Sequence, residues 1–471
     1  MKEIVTIQLG HCGNALGSQF WSDISEEHGL LPNGQYCGEH ELQLSKICSF
    51  FAAGATTNYV PRSILIDLDP SSLESTRCSP TGQLFRPDNF IFGKVGAGNN
   101  FARGMYTDGV DIRDMSLEAI RKEVELCDHP SAFQMIHALG GGTGSGMGAL
   151  LLEMLKEEYP KQLLLNYTVF PSSKVSEVVV EPYNTILSAP SLIKNSDVTV
   201  LLDNECLYEI CQKTLQLESP LLEDLNFVMA KAMSGLSSTY RFPSRGHVDW
   251  AAMRCVMVPS RKLHFFLPAF APINSRGVQP YRTFSVQDVL HQILNGKILL
   301  GGKEFQKSSS GGKYLTALAL FRGYCLPEKE IEMNLTNFEE KNPSYFAEWM
   351  PFHFLHGTCD TPPKGMKISA SFIANHTGSR NIWGRVLSKY QKMFKRKAFL
   401  HWYYSEGSGE DDFKHAEESV KELISEYKQC ESRPPPGWTP PENTQGLLKR
   451  CLEEAGYDLE EKAPPKPPIC P

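Results

Sequence analysis

The sequence has 471 residues, of which 41% are hydrophobic and 21% charged, which is typical of a folded chain with two or three domains. The net charge of −7 argues against a nucleic-acid-binding surface, and no apolar run reaches membrane-spanning length. The thirteen cysteines contain no CxxC pair, which favours reduced thiols in the cytosol over disulfides or zinc sites.

The chain begins with a predicted buried strand over 3–9 that runs into the turn Gly10-His11-Cys12-Gly13-Asn14, and a helix is predicted to follow. Open α/β sheets bind ligands at such turns, beyond the carboxyl ends of their strands. Taken alone, Cys12 is equally well explained as a packed thiol. The next stretch, 30–58, is irregular and polar, so we expect a surface insertion there rather than core.

A strand predicted within 59–69 ends in two carboxylates, Asp67 and Asp69. Near a phosphate-binding loop, carboxylates in this position hold Mg²⁺ through water. The alternative is that Asp69-Pro70 simply starts a turn.

The stretch GGGTGSG, residues 140–146, lies between a predicted buried strand over 133–139 and a predicted helix that runs to Tyr159. Its backbone can approach an anion closely, and free N–H groups and the helix dipole favour negative charge there, so we expect it to bind phosphate. A glycine-rich connector is the plainer alternative. The stretch lacks the Gly-Lys-Ser/Thr of a P-loop and does not follow the first strand, as a dinucleotide fingerprint does.

The second half of the chain predicts a smaller α/β domain followed by helices. Its clear strands are predicted over 263–267, 314–321 and 366–373. A long helix is predicted over 386–404, and a final amphipathic helix buries a face from Phe413 to Tyr427. Beyond Cys430 the Pro-rich composition predicts an extended tail.

Several of these stretches resemble the tubulin superfamily. GGGTGSG is similar to its signature, and GHCGN at 10–14 is similar to its GQCGN turn. RPDNFIFG at 86–93, GAGNN at 96–100 and FKRKAFLHWY at 394–403 resemble β-tubulin almost letter for letter. The resemblance covers about residues 1–429. A bacterial FtsZ-like protein would share the glycine stretch, but not RPDNF or FLHWY.

The resemblance implies an α/β fold with a doubly wound nucleotide-binding domain, a second smaller α/β domain and a C-terminal helical layer. The expected boundaries are 1–205 for the GTP-binding domain, 206–380 for a core helix and the intermediate α/β domain, 381–429 for the C-terminal helical hairpin, and 430–471 for a mostly disordered Pro-rich tail. Tubulins usually end in a Glu-rich tail, which is missing here.

The resemblance also implies that GTP or GDP is bound with Mg²⁺. The implied GTP-binding residues are His11, Cys12, Gly98, Asn99 and a serine hydroxyl at position 138, where this chain has Ala138. The loop around Gly98 and Asn99 would sense the γ-phosphate. His11 replaces a family Gln that helps order magnesium and water, a role that a histidine fills only when neutral.

Further positions follow from the same resemblance. Glu177 corresponds to the acidic ribose ligand, and Asn204 and Asn226 correspond to the residues that read guanine. Leu222 stands where the family has a Tyr that stacks on the base. Ala252 stands where α-tubulin presents the Glu that activates water on its neighbour's GTP.

Two classes of function stay open. The first is a structural cytoskeletal subunit of microtubules, centrioles or basal bodies that binds GTP at a longitudinal interface with an α-like tubulin partner. The second is a nucleotide-bound adaptor that does not polymerise and binds centriolar or microtubule-associated proteins through its Pro-rich tail. A metabolic enzyme is disfavoured because no nucleophile–base pair lies near the glycine stretch. Neither class involves nucleic acid or a membrane.

Overall fold

The computed structural model describes residues 2–54, 58–172, 174–245, 250–274, 284–294, 298–301, 312–324, 326–436 and 438. The strands within these residues are β1 (Glu3–Leu9), β2 (Phe51–Ala53), β3 (Tyr59–Pro61), β4 (Ser63–Asp67), β5 (Phe90–Phe92), β6 (Pro130–Ala138), β7 (Leu163–Phe170), β8 (Val198–Asp203), β9 (Ser244–Arg245), β10 (Phe265–Ala271), β11 (Tyr314–Gly323), β12 (Phe354–Cys359) and β13 (Ile368–His376).

The α-helices of the same residues alternate with these strands through the first half of the chain. They are α1 (Gly10–Glu27), α2 (Pro70–Cys78), α3 (Phe101–Tyr106), α4 (Asp108–Glu125), α5 (Gly148–Glu158), α6 (Glu181–Asn195), α7 (Asn204–Lys213), α8 (Leu222–Leu236), α9 (Ser238–Arg241), α10 (Trp250–Met257), α11 (Val286–Leu294), α12 (Glu328–Lys341), α13 (Ser379–Lys395), α14 (Leu400–Tyr404) and α15 (Glu410–Gln429). A π-helical turn, Thr143–Met147, precedes α5.

Eleven strands form one continuous sheet in the order β5-β4-β1-β6-β7-β8-β10-β13-β11-β12-β9. Neighbours from β5 to β10 are parallel, whereas β13 runs antiparallel to both β10 and β11. The chain builds outward from β1 to β4 and β5, then outward from β6 to β7 and β8 in the other direction. This reversal between β1 and β6 confirms the expected doubly wound arrangement.

The sheet separates two apolar cores, one on each face. β1, β7 and β8 are buried along their whole length, as expected for parallel strands covered by helices on both sides. α8 packs against α1 and against β10, β11 and β13, so it joins the two halves of the sheet. In the part of the chain that the structure describes, no helix is long and apolar enough to cross a bilayer, and the ten cysteines there are free thiols.

The stretch 30–58 is not only a surface insertion. Phe50 and Phe51 in it are fully buried, and both pack edge-on against Trp21 of α1, with ring centroids 6.2 and 5.4 Å away. The expectation was wrong at this point because a short apolar pair inside a polar stretch carries no periodic signal.

The prediction of a single helix over 386–404 is also wrong. α13 ends at Lys395, and Lys397 and Phe399 adopt left-handed backbone conformations before α14 begins. Non-glycine residues reach that conformation only where the surrounding structure holds them there. The break redirects the chain so that α14 faces the first domain.

The Pro-rich tail starts by packing against the second domain. The Trp349 indole N–H donates to the Cys430 carbonyl oxygen at 2.8 Å, and its ring meets Trp438 with centroids 4.9 Å apart. Residues 437 and 439–471, which hold the rest of the predicted tail, lie outside the described residues.

A buried ion triad joins the first domain to the rest of the fold. The Glu27 carboxylate of α1 accepts from Arg241 of α9 at 2.7 Å and from both Nη atoms of Arg322 of β11 at 3.1 Å. Both guanidinium groups also stack on Phe242, 5.1 and 5.4 Å from the ring centroid. Burial opposes ionisation, but Arg322 and Arg241 together hold the pKa of the Glu27 carboxyl well below its usual range.

We expect Arg322→Met to lower the free energy of unfolding by about 3–5 kcal/mol, because it removes one cation from a buried, charged carboxylate. Urea denaturation of the full chain measures this. The matched control is Arg121→Met, which breaks solvent-exposed pairs with Glu118 and Glu125 and is expected to leave the free energy of unfolding nearly unchanged. Equal losses in the two variants would contradict the assigned role of the triad.

Candidate functional site

Two glycine turns meet where the strand order reverses. The first turn, residues 10–14, follows β1 and opens α1, and the glycine loop, residues 140–146, follows β6. A Cβ added to Gly10 would lie 3.4 Å from the Gly144 nitrogen, and one added to Gly13 would collide with the Ile136 carbonyl oxygen. The backbones touch here, so side chains are excluded and N–H groups line the surface between two helix starts.

Two neighbouring glycines in this loop differ in their surroundings. A Cβ on Gly142 would lie 2.7 Å from both the Ala97 Cβ and the Asn100 nitrogen, so Gly142 is needed for packing inside the protein. A Cβ on Gly141 would meet nothing within 4 Å. The space next to Gly141 is therefore open, and a ligand can approach the backbone there.

His137 of β6 supports the glycine loop through a hydrogen bond. Its Nδ1 lies 2.8 Å from the Gly144 carbonyl oxygen, which can only accept, so the neutral ring carries its proton on Nδ1. Burial lowers the pKa of His137 to about 4, which keeps the ring uncharged at neutral pH. Sequence reasoning missed this residue because a single buried histidine in a strand has no distinctive pattern.

A third loop, residues 96–100, closes the same corner. Gly98 and Asn99 have φ values of 56° and 55°, and the loop backbone packs against Gly142. A Cβ on Gly96 would lie 3.3 Å from the Cβ of Asp69, at the end of β4. Three loops that follow three strands thus surround one corner of the sheet, and we call this corner the cradle.

Asp67, the last residue of β4, and Asp69, two residues further on, have different roles. Asp67 is buried and accepts from the Ser72 hydroxyl, and its pKa is raised by burial. Asp69 is exposed and caps α2, accepting from the Ser71 nitrogen at 3.1 Å and hydroxyl at 2.7 Å, and these hydrogen bonds hold its pKa below its usual range. Asp69-Pro70 thus starts a helix and not the turn of the alternative interpretation, and Asp69 is the one of the pair that lies beside the third loop.

The described residues contain no group of three or more His, Cys, Asp or Glu side chains placed to hold a metal. A Mg²⁺ ion at the cradle would therefore depend on nucleotide phosphates and water for most of its ligands, as Mg²⁺ usually does. The Asp69 carboxylate is the group of this chain that fits such a water-mediated contact.

Comparison with known families supports the same assignment. A family model described as Tubulin/FtsZ family, GTPase domain, matches residues 3–212, and a second, Tubulin C-terminal domain, matches residues 261–388. Together they span well over half of the chain. The chain belongs to the tubulin superfamily. The GTPase-domain match contains every loop of the cradle, and it implies that this tubulin-superfamily chain binds GTP or GDP.

Four of the five expected GTP-binding residues lie at the cradle. His11 is exposed at the start of α1, and Gly98 and Asn99 are exposed in the third loop. Cys12 is partly buried, and burial raises the pKa of its thiol to about 11. The thiol therefore stays uncharged and is not a nucleophile. The expectation of a serine hydroxyl at position 138 is wrong. The residue there is Ala138, the last of β6, which offers only a methyl group and its backbone.

The expected ribose and guanine positions follow the next two strands. Glu177 is exposed in the loop between β7 and α6, and Asn204 opens α7 directly after β8. Arg385 of α13 binds the residues on either side of Asn204, at 2.8 Å from Asp203 and 2.9 Å from Glu205. The backbone that carries Asn204 is therefore fixed from both sides.

The second guanine position lies in α8. Asn226 is half-buried in the second turn of this helix, whereas Leu222, where the tubulin family has a stacking Tyr, is 61% exposed. Its neighbour Leu221 is 64% exposed.

Ala252 does not face outward in this chain. It lies in α10 and is 2% exposed, beside the buried Trp250 and Met253. The position therefore lacks a carboxylate and is also turned into the fold.

We expect Gly141→Ala to weaken GDP binding at least about tenfold (1.4 kcal/mol) with no loss of thermal stability, because the new methyl group fills the open space of the cradle. Isothermal titration calorimetry on nucleotide-free protein measures it. Gly384→Ala is the matched control, since a Cβ there also meets nothing within 4 Å but lies in α13. Gly142→Val should lose both binding and stability. Unchanged GDP affinity in Gly141→Ala would rule out this cradle.

Proposed function

We propose that this chain is a divergent β-like tubulin that binds GTP at a longitudinal subunit interface and serves as a structural subunit of microtubules, centrioles or basal bodies. Zeta-tubulin is the subfamily that we favour, because changes at His11, Leu222 and Ala252 and the missing Glu-rich tail separate the chain from ordinary β-tubulin. Within this proposal residues 1–205 form the GTP-binding domain, 206–380 the core helix and second domain, 381–429 the helical hairpin, and 430–471 the tail.

The observation that carries the proposal is the order of the loops along one edge of the sheet. β5, β4, β1, β6, β7 and β8 are parallel neighbours, so their carboxyl ends lie side by side, about 4.8 Å apart. Asn204 follows β8, Glu177 follows β7, the glycine loop follows β6, the first turn follows β1, and Asp69 follows β4. In the proposed arrangement the base, ribose, inner phosphates and terminal phosphate lie in this order across the switch point.

Each proposed contact matches its place in that order. Asn204 and Asn226 read the guanine edge, since an amide both donates and accepts. Glu177 binds the ribose. His11, Cys12 and the N–H groups of the first turn and the glycine loop face the phosphates, while Gly98 and Asn99 face the terminal one.

Hydrolysis in this proposal depends on a partner subunit. A positioned general base contributes roughly 10²–10⁴-fold to such a reaction, and the buried methyl group of Ala252 supplies none. The chain therefore does not activate water on a neighbour's GTP, and its own GTP is hydrolysed when an α-like tubulin provides the carboxylate. This arrangement puts the chain in the β-like position with an exchangeable nucleotide.

Phosphate release tests this directly. We expect the purified chain alone to be nearly inert and its rate to rise at least about 100-fold with α-tubulin, in line with the lower bound for general-base assistance. α-Tubulin with GDP in place of GTP gives the background. Fast turnover by the chain alone would contradict the proposed dependence on a partner.

The exposed Leu222 gives a second test. We expect Leu222→Tyr to tighten GDP binding by about 1–3 kcal/mol, because an aromatic ring can stack on the base where leucine cannot. Leu221→Tyr is the matched control, since it adds the same ring to the adjacent exposed position. An equal gain in GDP affinity in the two variants would contradict stacking of the ring at position 222 on the base, because the effect would not depend on the position of the ring.

Sedimentation separates the two classes of role. Co-sedimentation with microtubules that requires GTP supports a subunit of the cytoskeleton with other tubulins as partners. Binding that is independent of GTP and requires the Pro-rich tail favours a centriolar adaptor instead.

A further inference from the structure

Asn184, in the first turn of α6, is fully buried between the cradle and the outer helical layer formed by α13, α14 and α15. Its Nδ2 donates to the carbonyl oxygens of Asn99 at 2.7 Å and Gly140 at 2.8 Å. Its Oδ1 accepts from the Phe101 N–H at 3.0 Å and from the Tyr403 hydroxyl at 2.7 Å. All four hydrogen-bonding positions of the carboxamide are thus used.

These partners fix the orientation of the carboxamide. The two carbonyl oxygens only accept and the Phe101 N–H only donates, so a flipped amide would face like groups at three of its four positions. The Tyr403 hydroxyl must therefore donate. Tyr403 is 1% exposed, and burial raises the pKa of its hydroxyl above the usual range, so it keeps the proton that this bond needs.

A second set of bonds runs between the same two regions. The Asn100 Nδ2 donates to the Trp402 carbonyl oxygen at 2.8 Å, and the Tyr183 hydroxyl donates to the Ala398 carbonyl oxygen at 3.0 Å. The Trp402 side chain itself is 61% exposed. The short helix α14 thus presents an aromatic side chain to the outside while its backbone holds the third loop of the cradle.

We propose that Asn184 and Tyr403 are positioning residues of the nucleotide site, through which the outer helical layer sets the preference of the cradle for a nucleoside triphosphate over a diphosphate. This inference rests on the proposed function of the cradle. Among the described residues, Asn184 is the one side chain that bonds to both the glycine loop and the third loop, and Tyr403 holds Asn184 from the outer layer.

The preference for the triphosphate follows from the position of the third loop. It comes after β5, at the far end of the sheet edge from Asn204, and so contacts the last phosphate rather than the base. When the Tyr403 hydroxyl is absent, a buried acceptor on Asn184 loses one of its two donors and the carboxamide is free to shift. The third loop then no longer presents its backbone to the terminal phosphate. The glycine loop is held independently by His137, so contacts to the base, ribose and inner phosphates remain.

The test compares two probes, GDP and guanosine 5′-(β,γ-imido)triphosphate, by calorimetry on the full-length chain stripped of nucleotide. In Tyr403→Phe we expect the Kd of the triphosphate analogue to rise about 5- to 30-fold, the range for one buried hydrogen bond left unmade, while the Kd of GDP changes less than about twofold. Asn184→Asp, which replaces both donors by acceptors, should raise the analogue's Kd further.

Tyr404→Phe is the matched control, because it removes the same hydroxyl from the adjacent, half-exposed tyrosine and should leave both affinities unchanged. A parallel loss of both probes in Tyr403→Phe would indicate general destabilisation and overturn the inference, as would no change in either. A wild-type chain that binds neither probe would instead overturn the proposed function, and this inference with it.

Discussion

Two backbone turns approach each other closely at the strand switch point, and the geometry of the cradle follows from this contact. A Cβ on Gly10 or Gly13 of the first turn, or on Gly144 of the glycine loop, would touch or collide with neighbouring backbone. The backbones therefore lie in contact, and two helix starts meet at one corner. Backbone N–H groups and helix dipoles then favour negative charge at the cradle. A cradle of this kind is fixed by shape more than by charge, so the surrounding packing must hold it in place.

Two buried polar assemblies supply that packing. The carboxamide of Asn184 fastens the loops of the cradle to each other and to α14, while the triad of Glu27, Arg241 and Arg322 fastens the first domain to the second. Both assemblies bury polar or charged groups, and all of these groups are hydrogen-bonded. Removing one partner is therefore more damaging than replacing the whole assembly with apolar side chains. Since Trp402 of α14 is exposed, a partner that moves this helix would also act on bound phosphate, and binding linkage makes that effect reciprocal.

The sequence predicted the parts of the site that are local. Both glycine turns, the strands before them and the helices after them follow from apolar periodicity and glycine spacing over a dozen residues. It did not predict the long-range contacts. Asn184 and Tyr403 are 219 positions apart, and the only local signal was a polar amide on the buried face of α6. Phe50, Phe51 and the break before α14 were missed for the same reason, since tertiary packing decides them.

The proposed function requires a guanine nucleotide in the cradle beside Gly141. This is tested by denaturing the purified chain with acid and identifying the released nucleotide by ion-exchange chromatography. We expect GDP or GTP in near-stoichiometric amount. Release of an adenine nucleotide, or of no nucleotide together with no binding of added GDP, would contradict it.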